Sequence, residues 1–248
     1  MTLPEFFRAH PRAAIGFSGG VDSSYLLYEA LRCGAEVCAY FVRSPFQPQF
    51  ELDDAHRLAD ELGARMRVLS LDVLSDPEIA ANPPDRCYFC KRRIFAAIQT
   101  AARADGYDLL LDGTNASDDA ADRPGFRAIR ELEVLSPLRA CALTKEEVRR
   151  RSRAAGLFTW DKPAYACLAT RIPAGRPITA EALKTTEQAE GFLSSLGFRD
   201  FRIRMDGSAA KLQLRAEDLP RLLDCRAAVL EGLRPYYSAV TLDLEVRK

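Results

Sequence analysis

The stretch IGFSGGVDSSYLLYEA, residues 15–30, decides how this chain folds. It joins the end of an apolar run, AAIGF (13–17), to a segment with helical periodicity that runs from about Ser23 to a stop at Gly34. A strand, a glycine turn and a helix are what such a pattern predicts. Backbone N–H groups at a strand-to-helix turn, with the positive end of the helix dipole behind them, make an anion site that needs no net protein charge. Gly19 and Gly20 allow the main chain to curl close to a phosphate, and Ser18, Ser23 and Ser24 add hydroxyl donors. Asp22 is out of place beside a phosphate, so its uses are to help bind Mg²⁺ or to fix the loop by accepting backbone hydrogen bonds. The Gly-Lys-Ser/Thr ending of a Walker A loop is missing, and there is no dinucleotide fingerprint.

Outward from this loop, apolar runs alternate with amphipathic segments: AEVCAYFV (35–42), a helix over 51–63, MRVLSL (66–71), a helix over 86–104 and DLLLDG (108–113). Such alternation predicts an α/β fold, a doubly wound parallel sheet covered on both faces, with ligands beyond the carboxyl ends of the strands. After VLSPL (134–138) comes a helix in TKEEVRRRSRAAG (144–156), where Thr144 and Glu147 fit a capping box and Gly156 a stop. The stretch WDKPAYACLATRIPAGRPIT (160–179) reads as an ordered linker that holds a domain boundary. A helix over 179–196, strands over 201–205 and 211–214, a helix over 217–233 and a last strand over 239–246 predict a smaller α+β unit. The expected domains are 1–165 and 166–248.

Lys plus Arg and Asp plus Glu each number 35 in 248 residues, so no overall field points to nucleic acid or a membrane surface, and an anionic ligand must be held locally. The opening MTLPEFFRAH lacks a basic region followed by a long apolar core, and no stretch reaches the length of a membrane span, so a soluble cytoplasmic protein is expected. Seven cysteines without a secretion signal argue against a disulfide framework. Cys33, Cys38, Cys141 and Cys225 lie in apolar surroundings and read as small hydrophobes. Cys87 and Cys90 form a CxxC that would suit a metal, a redox pair or mere packing on one helical turn; two ligands do not make a tetrahedral zinc site. Cys167 lies outside any evident element, with Lys162, Arg171 and Arg176 nearby in sequence. Cations stabilise a thiolate, so a reactive thiol and an ordinary loop cysteine both stay open on the residues alone.

The string SGGVDSS (18–24) resembles the signature of the PP-loop ATP pyrophosphatases, which cleave ATP between its α- and β-phosphates and transfer AMP to an acceptor. Together with RCYFCKRRIF (86–95), DGTNASDDAADRPG (112–125), SPL (136–138), LTKEEVR (143–149) and the 160–179 stretch, the chain resembles the LarE family of ATP-dependent sacrificial sulfur transferases, which act in nickel-pincer nucleotide biosynthesis. The resemblance implies a sheet of the PP-loop, adenine nucleotide alpha hydrolase-like type in 1–165, and a substrate-binding and oligomerisation domain in 166–248. It implies ATP and Mg²⁺ as cofactors and a small-molecule nucleotide, pyridinium-3,5-biscarboxylic acid mononucleotide, as substrate. A substrate carboxylate is adenylated, the thiolate of Cys167 attacks, and the cysteine loses its sulfur and becomes dehydroalanine. Cys167 and Asp22 are then the catalytic residues, with Asp22 also the Mg²⁺ ligand. Ser18, Gly19, Gly20, Ser23, Ser24, Gly113, Thr114, Asn115 and Arg123 join Asp22 around the nucleotide, and Arg171, Arg204 and Lys211 are assigned to the substrate. A homo-oligomer is expected, with no nucleic-acid or membrane partner.

The match has departures. Thr170 and Ala174 stand where the family has serine and tyrosine; Asp206, Lys211 and Gln213 replace a histidine, an arginine and a glutamate; and the family's Gly-Tyr-Arg tail is absent after LDLEVRK. These leave room for a different acceptor. The alternatives are sulfur transfer through an iron–sulfur cluster, for which Cys87, Cys90 and Cys167 are the trio available, transfer RNA thiolation, amidation, or a non-catalytic nucleotide-binding homologue.

Overall fold

A computed structural model describes residues 1–118 and 124–247. Contacts divide the chain into two compact units, 1–73 with 85–162 and 74–84 with 163–248.

In the first unit, α1 (Leu3–Ala9), β1 (Arg12–Phe17), α2 (Val21–Arg32), β2 (Glu36–Arg43), α3 (Gln49–Leu62) and β3 (Arg65–Ser70) follow in order. After the excursion 74–84, which carries the short α4 (Pro77–Ala80), come α5 (Arg86–Ala104), β4 (Leu110–Leu111), α6 (Pro124–Glu131), α7 (Pro137–Ala140) and α8 (Lys145–Ala154). The strands form one parallel sheet in the order β3-β2-β1-β4. Strand alternation sorts the core. Ala13, Ile15, Phe17, Val37, Ala39 and Phe41 face a layer that includes Leu26, Leu27, Leu58 and Val148, whereas Ala14, Cys38, Tyr40 and Val42 face Phe95, Ile98, Ala102 and Ile129. Both faces of β2 are therefore buried, which is why its sequence is an unbroken apolar run. Gly16 is a close-approach glycine: a Cβ there would stand 3.1 Å from the Phe95 ring.

The chain winds outward from β1 to β3 and returns on the other side of β1 to β4, so strand order reverses between β1 and β4, at the point where such sheets bind ligands beyond their carboxyl ends. β4 is shorter than the six residues expected. Its neighbours continue the pairing as single bonds, Asp112 N to Leu135 O (2.9 Å) and Leu135 N to Leu110 O (3.0 Å), before the chain peels away at Asp112.

The second unit packs α9 (Ala180–Ser195), α10 (Leu219–Asp224) and α11 (Arg226–Leu233) with a sheet of β5 (Arg202–Asp206), β6 (Ala209–Gln213) and β7 (Ala239–Leu242), in the order β5-β6-β7. Leu193, Phe198, Ile203, Leu212 and Leu233 are among its core residues. Two expectations shift. The single helix over 217–233 is instead a 3₁₀ turn (Ala216–Asp218) and two helices that meet at Cys225, where the backbone (φ −98°, ψ 17°) leaves helical geometry. The last strand ends at Leu242, after which only single bonds such as Asp243 N to Leu212 O and Arg247 N to Leu214 O continue toward β6, and Leu244 is 84% exposed. Among the described residues no helix is long and apolar enough to cross a membrane.

Candidate functional site

In the first unit the glycine loop leaves β1 and turns into α2 without a side-chain cap on the helix start, so the N–H groups of the first turn are not all consumed locally. Gly19 has φ +69°, and a Cβ on it would meet Glu51 O at 3.2 Å, so only glycine fits where the loop touches α3. Serines knit the loop together: Ser18 N donates to Ser23 Oγ (3.2 Å), Ser23 Oγ to Gly20 O (3.2 Å) and Gly20 N to Ser18 Oγ (3.3 Å). Ser24 is buried and its hydroxyl has no hydrogen-bond partner, so it does not join this network.

The segment after β4 closes on α2. A Cβ on Gly113 would stand 2.8 Å from Ser23 N, so this glycine is what lets the segment after β4 meet the first turn of α2. Asp112 accepts from Thr114 Oγ1 (2.5 Å), Thr114 N (3.2 Å) and Ser136 Oγ (2.6 Å), which makes Asp112 and Thr114 a brace of the turn. Asn115 Nδ2 donates to Asp22 Oδ1 (3.2 Å), and Lys145 Nζ donates to Asp22 Oδ2 (2.5 Å). Asp22 thus bonds to side chains rather than to the loop's backbone. Burial pushes its carboxyl pKa up, the Lys145 cation opposes the rise, and the nearby charge of Asp118 adds to it.

Lys145, the first residue of α8, lies in LTKEEVR, but its partnership with Asp22 leaves no local sign in the sequence. The half of the capping box that forms is the Glu147 N bond to Thr144 Oγ1 (3.2 Å). The Glu147 carboxylate instead takes Arg150 Nη2 (2.7 Å) and Arg151 Nε (2.6 Å), whose donors hold its pKa down at about 2. Lys162 also reaches the glycine loop: its Nζ pairs with Asp54 (2.6 Å) and donates to Gly19 O (3.3 Å). Arg149 grips the carbonyls of Trp160 (2.6 Å) and Lys162 (2.8 Å). Arg123 lies outside the described residues.

In the second unit Cys167 is half-buried at the start of the 3₁₀ turn Leu168–Arg171. Carbonyls on both sides of it are held. Arg171 Nη1 donates to Ala166 O (2.9 Å), and Thr170 N and Oγ1 donate to Cys167 O (3.0 and 2.9 Å). The Arg171 side chain is fully buried and bidentate with Glu190 (2.7 and 3.0 Å). Burial works against its charge, but the Glu190 carboxylate outweighs it and holds the pKa above the ordinary arginine value. Glu190 also accepts from Tyr165 Oη (2.6 Å) and Ile203 N (3.0 Å). Arg202 donates to Ala164 O (2.5 Å), and burial followed by the charges of Arg171 and Arg247 brings its pKa down to about 10.

Of the three residues assigned to the substrate, Arg171 is thus spent inside the loop. Arg204 is exposed, and it donates to Thr170 O (2.8 Å) and Gln213 Oε1 (2.6 Å); Lys211 stands opposite Arg204 on β6. Asn82, on the excursion that joins this unit, donates to Pro173 O (2.9 Å) and Ile172 O (3.3 Å) and accepts from Gly175 N (2.8 Å). No local pattern in the sequence points to Asn82.

Cys87 is exposed and Cys90 buried on α5, while burial pushes the thiols of Cys33, Cys38 and Cys141 up. Among the described residues no three His, Cys, Asp or Glu side chains gather as a metal site. Mg²⁺ does not require such a cage, because it is commonly held by one or two carboxylates plus substrate phosphates. Asp22, with Asp118 close enough to raise its pKa, fits that donor set.

No protein-family model matches the chain. It is 35% identical to an uncharacterised protein of Synechocystis sp., over 98% of this chain and 92% of the relative. It is 33% identical to the pyridinium-3,5-bisthiocarboxylic acid mononucleotide synthase of Lactiplantibacillus plantarum, over 98% of this chain and 89% of that protein. A more distant relative, the tRNA-specific 2-thiouridylase MnmA of Pseudothermotoga lettingae, is 26% identical over 61% of this chain and 54% of its own length.

Proposed function

The chain belongs to the LarE family of PP-loop proteins, and from that premise we propose that it is an ATP-dependent sulfur transferase acting on pyridinium-3,5-biscarboxylic acid mononucleotide, with Cys167 as the sulfur donor. The observation that carries this reading is the match along 98% of the chain to a synthase of the corresponding bisthiocarboxylic acid. Under it, residues 1–165 activate the substrate, residues 166–248 bind it and assemble the protein as a cytoplasmic homo-oligomer, and the product enters nickel-pincer nucleotide biosynthesis.

A substrate carboxylate oxygen attacks the α-phosphorus of ATP, and pyrophosphate departs onto the N–H groups of the glycine loop and the start of α2. Lys145 and Lys162 supply the positive charge that the loop's own sequence lacks. Mg²⁺, when bound by Asp22 and Asp118, neutralises the phosphates. Asn115, Gly113 and Ser23 hold the loop's shape, and Arg204 and Lys211 offer cations to the substrate's own phosphate or carboxylate. The Cys167 thiolate then displaces AMP from the mixed anhydride to give a thioester. Loss of the Cα proton breaks the Cβ–Sγ bond, thiocarboxylate leaves with the sulfur, and dehydroalanine remains.

Incubation with ATP, Mg²⁺ and the pyridinium substrate is expected to lower the intact-protein mass by roughly 34 Da, one H₂S, with the loss at Cys167. Product formed at unchanged mass overturns the sacrificial step and turns attention to sulfur supplied through an iron–sulfur cluster. The distant match to a tRNA-specific enzyme makes tRNA the control acceptor. Pyrophosphate release that is lost in Asp22→Ala separates an enzyme from a nucleotide binder.

A further inference from the structure

Sulfur release from a cysteine thioester has a difficult step. The Cα proton of the cysteine must be removed, and the Cα–H of a peptide is a very weak acid because the resulting charge has to sit on the residue's own carbonyl oxygen. Two donors converge on that oxygen here. Thr170 N–H is 3.0 Å from Cys167 O, and Thr170 Oγ1 is 2.9 Å from it. The N–H bond alone is what a 3₁₀ turn provides; the hydroxyl bond is an addition to the turn. Arg171 Nη1 donates to the same Thr170 Oγ1 at 2.8 Å, so this oxygen's lone pair is taken by a guanidinium and its own proton is committed to Cys167 O. The Arg171 side chain is fully buried and fixed by Glu190, which keeps the relay in place.

We propose that Thr170 is a catalytic residue whose N–H and hydroxyl stabilise the enolate that develops on the Cys167 carbonyl during elimination, with Arg171 as the positioning residue that orients and polarises the hydroxyl. The Cα proton passes to a water-borne base, its electron pair forms the Cα=Cβ bond, and the Cβ–Sγ pair leaves with the thiocarboxylate sulfur. No oxidant or reductant is involved. The geometry is that of an oxyanion hole built on the protein's own backbone, and loss of one such donor slows a reaction by roughly a hundredfold where the site is well organised. This proposal rests on the reading of Cys167 as the sulfur donor.

The test compares wild type, Thr170→Val and Thr170→Ser in a time course of intact mass with ATP, Mg²⁺ and pyridinium-3,5-biscarboxylic acid mononucleotide. In Thr170→Val the acyl adduct on Cys167 is expected to accumulate and to convert to dehydroalanine at least about tenfold more slowly, while Thr170→Ser restores the rate. Conversion at the wild-type rate in Thr170→Val, or failure to form the adduct at all, overturns the proposal. A second measurement needs no substrate. A bis-alkylating reagent turns a cysteine thiol into a cyclic sulfonium, which eliminates to dehydroalanine under mild base, and peptide mapping follows Cys167 beside the exposed Cys87 in the same molecule. Slowing in Thr170→Val at Cys167 alone supports the enolate role; equal rates at both cysteines in both proteins remove it. If that effect is present while wild type shows neither adduct nor mass loss with the pyridinium substrate, the sulfur-donor reading fails and the carbonyl device stands.

Discussion

The glycine loop of the first unit and the cysteine loop of the second solve the same problem, holding irregular backbone still, by opposite means. Around Gly19 and Gly20 the chain is shaped by what is missing: glycines without Cβ atoms lie against α3 and α2, and short serines bridge neighbouring turns. Around Cys167 the chain is held by long side chains that grip carbonyls, Arg171 on Ala166, Arg202 on Ala164, Arg204 on Thr170 and Asn82 on Pro173. The first kind of loop leaves the start of α2 without a side-chain cap. The second satisfies its carbonyls and fixes the backbone beside a thiol.

Side-chain deletion should therefore damage the cysteine loop most. Glu190→Ala leaves the fully buried Arg171 without its counter-charge, and a loss of about 3–5 kcal/mol is expected in urea unfolding of the full chain. A loss below about 1 kcal/mol would show that the pair does not organise the unit. Addition of a single methyl should instead damage the glycine loop. Gly113→Ala places a Cβ 2.8 Å from Ser23 N, backbone against backbone, with an expected cost of about 1–3 kcal/mol and weaker ATP binding by calorimetry. Unchanged ATP affinity would show that the approach of Gly113 to α2 is not needed by the nucleotide.

Asn82 combines both devices, since it carries φ +55° and is 3% exposed while its amide serves two carbonyls. Asn82→Ala should cost about 1–3 kcal/mol in thermal unfolding, and Asn82→Gly less, because glycine removes the strain but not the lost bonds. Equal effects would assign the whole cost to the amide. The smallest effect belongs to Glu147 on α8. Its folded pKa of about 2 lies below its ordinary 4.5, so its stabilising bonds to Arg150 and Arg151 are whole above pH 4.5 and fade as the pH falls toward 2. Urea midpoints of Glu147→Gln should fall less than those of wild type across that window.

Much of the first unit was legible because its signals are local. Apolar runs bounded by turns mark β1 and β2, and α5 matches its periodic segment from Arg86 to Ala104. The glycine turn between β1 and α2 was equally plain, since turn chemistry uses neighbouring residues. Less could be read where partners lie far apart in sequence. Lys145 and Asp22 are 123 residues apart, Lys162 and Gly19 143, and Asn82 and Pro173 91. Arg171 shows the limit most clearly: a cation beside a cysteine reads as a ligand for substrate, and only Glu190, on another helix, turns it into an internal brace.

By itself, then, the sequence determined the alternation that forms the parallel sheet and the glycine turn at its carboxyl edge, because hydrophobic period and backbone freedom are properties of adjacent residues. Only the tertiary structure decided which cations stand at the glycine loop, that residues 74–84 pack with the second unit, and that the Cys167 carbonyl receives two donors. Ion pairs and hydrogen bonds act over a few ångströms whatever the separation along the chain, so their partners exist only once the fold has brought them together.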